Sequence, residues 1–301
     1  MKPGDNPEGA GTFESLFRQA VEAIDAGDAD RLEKILNVHP QLAGERLYSP
    51  GSWLRDQIGG ALDNFFRDPY LLWFVSEDAV RNNFLPANIA LIAGIIIQKA
   101  KSEKASNLQE QLDYTLKLVA WSWVARECNV QIDLMNLLIN EGAAIDGISN
   151  DALVNGNFDA AEYLLTRGAK PNLATSLCLQ RWEEADELSK SASPEQKQFS
   201  LVLAALNGKA KAVGRVIAYG EVEVNKPSEH LYSHATALHH AVWSGSIETV
   251  KVLVAAGARL DIKDTIYDGT PLGWAEYGNK DELAAYLKDI IVRSPRDKSR
   301  D

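Results

Sequence analysis

Apolar residues fall along this 301-residue chain in short helical stripes, each closed by a glycine. Ahead of Gly257, Gly220, Gly168 and Gly142, apolar side chains stand seven, four and three places back. The sets are Val250, Leu253, Val254; Val213, Val216, Ile217; Ala161, Leu164, Leu165; and Met135, Leu138, Ile139. That i, i+3, i+4 spacing gives a helix one apolar face. Three of the closing glycines have a companion twelve residues earlier: Gly245, Gly208 and Gly156. Each glycine pair predicts two short helices, the first and then the second ended by a left-handed cap. Such a pair cannot bury its apolar face alone, so it stacks on its neighbours.

The same grammar opens the chain, where Ala20 to Gly27 (AVEAIDAG) precedes Leu32, Ile35 and Leu36, and Asp28 is placed to cap the second helix. A degenerate unit spans about 175–192, with Gln180 in the glycine position. The pattern predicts an all-α chain of about eight helix pairs. One unit lies near 13–42, two enlarged units lie within 70–142, and five more follow to 290. The expected organisation is a single array over 13–290, enlarged in 13–142 and regular in 143–290. A flexible leader (1–12) and a disordered tail (291–301) flank it.

Two units carry more than periodicity. Thr236 to Ala258 reads TALHHAVWSGSIETVKVLVAAGA, and Thr270 to Leu287 reads TPLGWAEYGNKDELAAYL. Leu238 and Leu272 hold the same place in the two, 34 residues apart. These segments resemble ankyrin repeats, with departures: Ala237 replaces the family's proline, Gly273 its histidine, and Asn279 its glycine. Asparagine is the next-best residue for a left-handed turn, so the last change keeps the punctuation. The whole chain is similar to a group of bacterial ankyrin-repeat proteins with an enlarged front half. The resemblance implies an α-solenoid of antiparallel helix pairs whose turns project as hairpins and line a concave face. It implies that His239 bonds backbone and ties neighbouring turns. It also implies a contact set: Tyr232, Ser233, Ala235, Trp243 and Ser244 in one unit; Ile266, Tyr267, Tyr277 and Gly278 in the last; Leu206 and Asn207 in the unit before.

Residues 43–131 break the repeat length. Tyr70 to Ser76 (YLLWFVS) reads as an opening helix with Trp73 in the histidine position, and its second helix starts near Pro86 after a connector holding Arg81, Asn82 and Asn83. Thr115 to Ala125 reads as the next opening helix, and Ser49 to Phe66 as an extra one. An atypical end unit is what a solenoid needs to cover its exposed face. Alternatively Trp53, Trp73, Trp121 and Trp123 line a partner pocket, or residues 48–130 hold a small-molecule or catalytic site around Trp53, Arg55, Trp73, Arg81 and Trp121.

Composition narrows the chemistry. The 42 acidic against 31 basic residues leave a net charge of −11, which repels a phosphate backbone and argues against nucleic acid. Two cysteines, Cys128 and Cys178, make no disulfide framework, which suits a reducing cytoplasm. The longest apolar run, Ile89 to Ile97, is nine residues, against about twenty for a bilayer span, so no membrane is expected. No phosphate loop, dinucleotide fingerprint, HExxH, CxxC or Gly-x-Ser-x-Gly occurs. We therefore expect no enzyme activity and no cofactor. His230, His234, His239 and His240 cluster within eleven residues. They have metal-ligand chemistry, but His239 is the repeat histidine and His240 points away from it by about 100°, so no metal is expected. The expected partner is a protein with basic and apolar patches, met by an exposed aromatic stripe of Tyr232, Trp243, Tyr267 and Tyr277. The opposing expectation is that Trp243 and Tyr277 simply pack on each other.

Overall fold

A computed structural model describes residues 7–293. Residues 7–12 of the expected leader open the first helix, and 1–6 lie outside the described residues. Residues 291–293 of the expected tail end the last helix, and 294–301 lie outside. Among the described residues no strand occurs, only an isolated antiparallel bridge between Ser228 and Leu231. Contacts divide the chain into two compact units that meet in sequence at Ala169 and Lys170.

The first unit holds α1 (Pro7–Asp25), α2 (Ala29–Val38), α3 (Ser52–Leu62), α4 (Ile89–Ser102), α5 (Leu108–Trp121), α6 (Trp123–Glu127), α7 (Gln131–Asn140), α8 (Ile148–Val154) and α9 (Phe158–Thr166), with 3-10 turns at Pro40–Ala43 and Leu71–Ser76. Opening elements stack on one another, α1 on Leu71–Ser76, that turn on α5, and α5 on α8. The second helices form a parallel row, α2 on α4, α4 on α7, α7 on α9. The second unit holds α10 (Leu173–Cys178), α11 (Trp182–Ser189), α12 (Pro194–Leu206), α13 (Ala210–Tyr219), α14 (Ala237–Ser244), α15 (Ile247–Ala255), α16 (Pro271–Tyr277) and α17 (Asp281–Arg293). Its opening row is α10, α12, α14, α16, and each of these packs its own second helix against it.

The glycine punctuation is physical. Gly27, Gly142, Gly156, Gly168, Gly208, Gly220, Gly245 and Gly257 all take positive φ. Gln180 (φ 61°) and Asn279 (φ 52°) do the same where glycine is missing. The apolar stripes bury as their spacing requires, with a refinement. The first two members of each set are fully buried, such as Val250 and Leu253 or Met135 and Leu138. The third, three places before the glycine, is half-buried in every set.

The irregular front differs from its sequence reading. Tyr70 to Ser76 is no α-helix: Leu71–Ser76 is a 3-10 turn ending at Glu77 with φ 48°. The helix expected from Pro86 starts at Ile89, and the one expected from Thr115 starts at Leu108 and breaks at Ser122. The extra helix shortens to Ser52–Leu62 and is kinked at Ile58. Polar ties hold this segment. Glu14 accepts from Gly51 N and from Trp53 Nε1 (2.7 Å). Arg81, with its side chain 3% exposed, donates to Asp25 (2.6 and 2.9 Å) and to the fully buried Glu77 (3.0 Å). Glu77 also accepts the N–H groups of Arg81 and Asn82.

Candidate partner-binding surface

The turns before α14 and α16, with the ends of those helices, form the surface of interest in the second unit. Thr236 and Thr270 cap the two helices, the first with His239 in a capping box. Thr236 N–H and hydroxyl both meet His239 Nδ1 (3.3 and 2.8 Å), and His239 Nε2 lies 3.1 Å from Gly269 O. A backbone donor on Nδ1 leaves the proton on Nε2, so the ring bridges its own turn to the next one as a neutral imidazole. Burial lowers its pKa and outweighs the bond to Gly269 O and the charge of Asp264, which act to raise it.

Asp264 organises the second turn. Its Oδ1 accepts from Ile266 N (3.0 Å) and Tyr267 N (2.6 Å), and its Oδ2 accepts from Gly269 N (2.9 Å) and Trp274 Nε1 (2.8 Å). The side chain is buried. Burial pushes its carboxyl up, but the three backbone N–H groups and the indole outweigh it and lower the pKa to about 2. Neither Asp264 nor Trp274 was singled out by the sequence pattern. The available signal was an Asp five residues before the Gly that precedes Thr-Pro-Leu, an Asx-turn signature.

Trp274 is the hub of the cluster. His234, His239, His240 and Trp243 all lie with ring centroids within 6.1 Å of it. His240 is buried, its Nε2 has no hydrogen-bond partner, and burial followed by the charges of His234 and His239 pushes its pKa down to about 4. Among the described residues no group of three or more His, Cys, Asp or Glu is placed to hold a metal ion.

Around this hub the expected contact residues sort by exposure. Trp243 (51%), Ile266 (62%), Tyr267 (74%) and Tyr277 (84%) present large apolar surfaces, and Tyr232 and Ser233 are exposed too. Trp243 packs edge-on against Trp274, 6.1 Å between centroids, and Tyr277, the neighbour that the opposing expectation gave it, is 84% exposed. Ala235 is the correction: at 2% exposure it lies beneath the turn and offers a partner nothing. Ser244 uses its hydroxyl locally, donating to Ala241 O and accepting from Ser246 N. Leu206, Asn207 and Gly278 are half-buried, and the Asn207 amide donates to Leu203 O.

Of the front-half residues suggested for a small-molecule site, Arg55 lines an open cavity with Ser49, Pro50, Leu62, Asp63, Arg67 and Asp68, without Trp53, Trp73, Arg81 or Trp121. Trp53 is spent on Glu14, Arg81 on Asp25 and Glu77, and Arg55 on Asp63 (3.2 Å). Trp73 is buried among Phe66, Tyr70 and Tyr114, while Trp121 is half-buried and Trp123 exposed. Burial pushes the Cys178 thiol up to about 12, which removes it as a nucleophile near neutrality. No helix among the described residues is long and apolar enough to cross a membrane.

Comparison with known families agrees with this geometry. A family model of ankyrin repeats, in three copies, matches residues 176–264 and 201–293. No curated protein gives a significant match to the chain.

Proposed function

Since residues 176–293 are ankyrin repeats, modules that generally mediate protein–protein interaction, we propose that this chain is a non-catalytic binding protein, an adaptor, scaffold or inhibitor. Its partner is a protein that docks on the turns and opening-helix ends of the second unit. The observation that carries this reading is the row of exposed Trp243, Ile266, Tyr267 and Tyr277 over a fully bonded Asp264 and Trp274. Large aromatic surfaces with few rotors make efficient hot spots, and a turn held in place loses little entropy on binding. An acidic chain with such a surface suits a partner bearing basic and apolar patches.

The test is affinity capture from source cells with the wild-type chain and with Tyr267→Ala and Tyr277→Ala as baits. A partner retained by the wild type and lost by both variants, at unchanged thermal unfolding, supports the proposal. Partners recovered equally by all three baits overturn it.

A further inference from the structure

The open cavity beside α3 in the first unit has a volume of about 180 Å³. Arg55 and Leu62 reach it from α3, Asp63 and Arg67 from the turn that follows. Ser49 and Pro50 come from the segment before α3, and Asp68 closes the wall. The backbone around it is tied: Leu47 N donates to Pro69 O (3.0 Å), and Arg46 donates to Asp68 O (2.8 Å). Ser49 and Asp68 are held between these ties at positive φ, 48° and 47°, a conformation that persists only where its surroundings fix it.

The wall mixes three kinds of surface. Pro50 and Leu62 are buried and give it an apolar part. Two guanidiniums converge on Asp63: Arg55 Nη1 meets its Oδ1 (3.2 Å), and Arg67 Nη2 donates to its backbone O (2.6 Å). The Arg55 and Asp63 side chains are 47% and 71% exposed, so their pairing contributes little and gives way to a better acceptor. Arg67 has no carboxylate partner among the described residues, and the Asp68 carboxylate has no cation. One cavity thus carries a cation and an anion on neighbouring residues, neither of them ion-paired.

Size and charge select what fits. Sites for drug-sized molecules run to roughly 300–1,000 Å³, so this cavity suits a smaller one. Over residues 7–169 there are 13 Lys and Arg against 23 Asp and Glu, a surplus that repels a bare anion. A bare cation meets the two guanidiniums. A small molecule that carries both charges and no net charge escapes both penalties.

We propose that this cavity binds a free α-amino acid as its zwitterion. The carboxylate lies on Arg55 and Arg67, the ammonium on Asp68, and a modest apolar side chain against Pro50 and Leu62; guanidinium and carboxylate make the strongest of these contacts. The site stands apart from the aromatic surface of the second unit and does not depend on the function assigned to that surface.

The experiment is isothermal titration calorimetry of the full chain with L-leucine. Leucinamide, which lacks the carboxylate, and isocaproate, which lacks the ammonium, are the matched probes. The variants are Arg67→Gln and Asp68→Asn, the latter keeping a residue that tolerates positive φ. Their controls are Lys34→Gln on α2 and Asp133→Asn on α7, which remove the same charges from exposed positions. We expect saturable binding of leucine in the millimolar range or tighter, and binding of each matched probe weaker by about tenfold or more. Arg67→Gln and Asp68→Asn each weaken leucine binding about tenfold, and the two controls change it less than twofold. Absence of saturable leucine binding overturns the proposal. So does a matched probe that binds as tightly as leucine, or a loss in the controls equal to that in the cavity variants. Undiminished affinity in either cavity variant does the same. Thermal unfolding of all four variants verifies that they are folded.

Discussion

Trp274 Nε1 donates to Asp264 Oδ2 at 2.8 Å, joining an opening helix to the turn ten residues before it. The same carboxylate holds three backbone N–H groups, so one side chain fixes the path of the whole turn. Asp264→Ala leaves four donors without their acceptor and lowers stability by about 2–4 kcal/mol. Urea titration with Trp fluorescence measures it, and a loss under about 1 kcal/mol would show that the turn is held by other means.

The acid limb of stability follows from the same group. Its folded pKa of about 2 lies below the ordinary 3.8. Its contribution is therefore present above pH 3.8 and is lost as pH falls towards 2, by about 2 kcal/mol. Asp264→Asn, compared with wild type across this window, shows a flatter acid limb.

His240 acts in a higher window. With a folded pKa near 4 against 6.5 unfolded, it protonates first in the unfolded chain, and stability falls as pH drops from 6.5 to 4. The loss is about 3 kcal/mol at most. His240→Phe removes this slope, and chemical denaturation at pH 7 and pH 4.5 reads it directly.

Asp78 has the opposite sign. Its folded pKa, about 6, lies above 3.8, so the fold favours the protonated form and loses that stability as pH rises through 6. Asp78→Asn gains about 1–2 kcal/mol at pH 7.5 and only a few tenths at pH 4. An equal gain at both values would trace the effect to packing instead of charge.

Arg81 separates structure from binding in the front half. Glu77 is fully buried beside it, so Arg81→Ala strands a buried carboxylate and costs about 3–5 kcal/mol. Tyr277→Ala, at an 84% exposed position, costs under about 0.5 kcal/mol. Differential scanning calorimetry of the two variants tests the contrast.

The repeat punctuation was readable because it is local. A left-handed cap needs a residue that tolerates positive φ, and the spacing to Gln180 and Asn279 gave their conformations even without glycine. The stripes ahead of Gly257 and Gly142 gave the buried faces for the same reason. The front half was less legible because its elements are set by contacts distant in sequence. Leu71–Ser76 is held by aromatic neighbours such as Phe66 and Tyr114, and Arg81 by Asp25, 56 residues away. The exposure of Tyr232, Trp243, Ile266, Tyr267 and Tyr277 followed from position in the repeat. Ala235 did not, because the backbone turns inward there: its N–H bonds Tyr232 O.

At positions 266 and 267 the collar that Asp264 throws around the second turn holds main-chain N–H groups and not the side chains. Any amino acid except proline supplies such a group. The side chains at 266 and 267 are thus interchangeable inserts in a fixed mount, and their exposed surface can be rewritten, in evolution or in the laboratory, while the scaffold stays as it is.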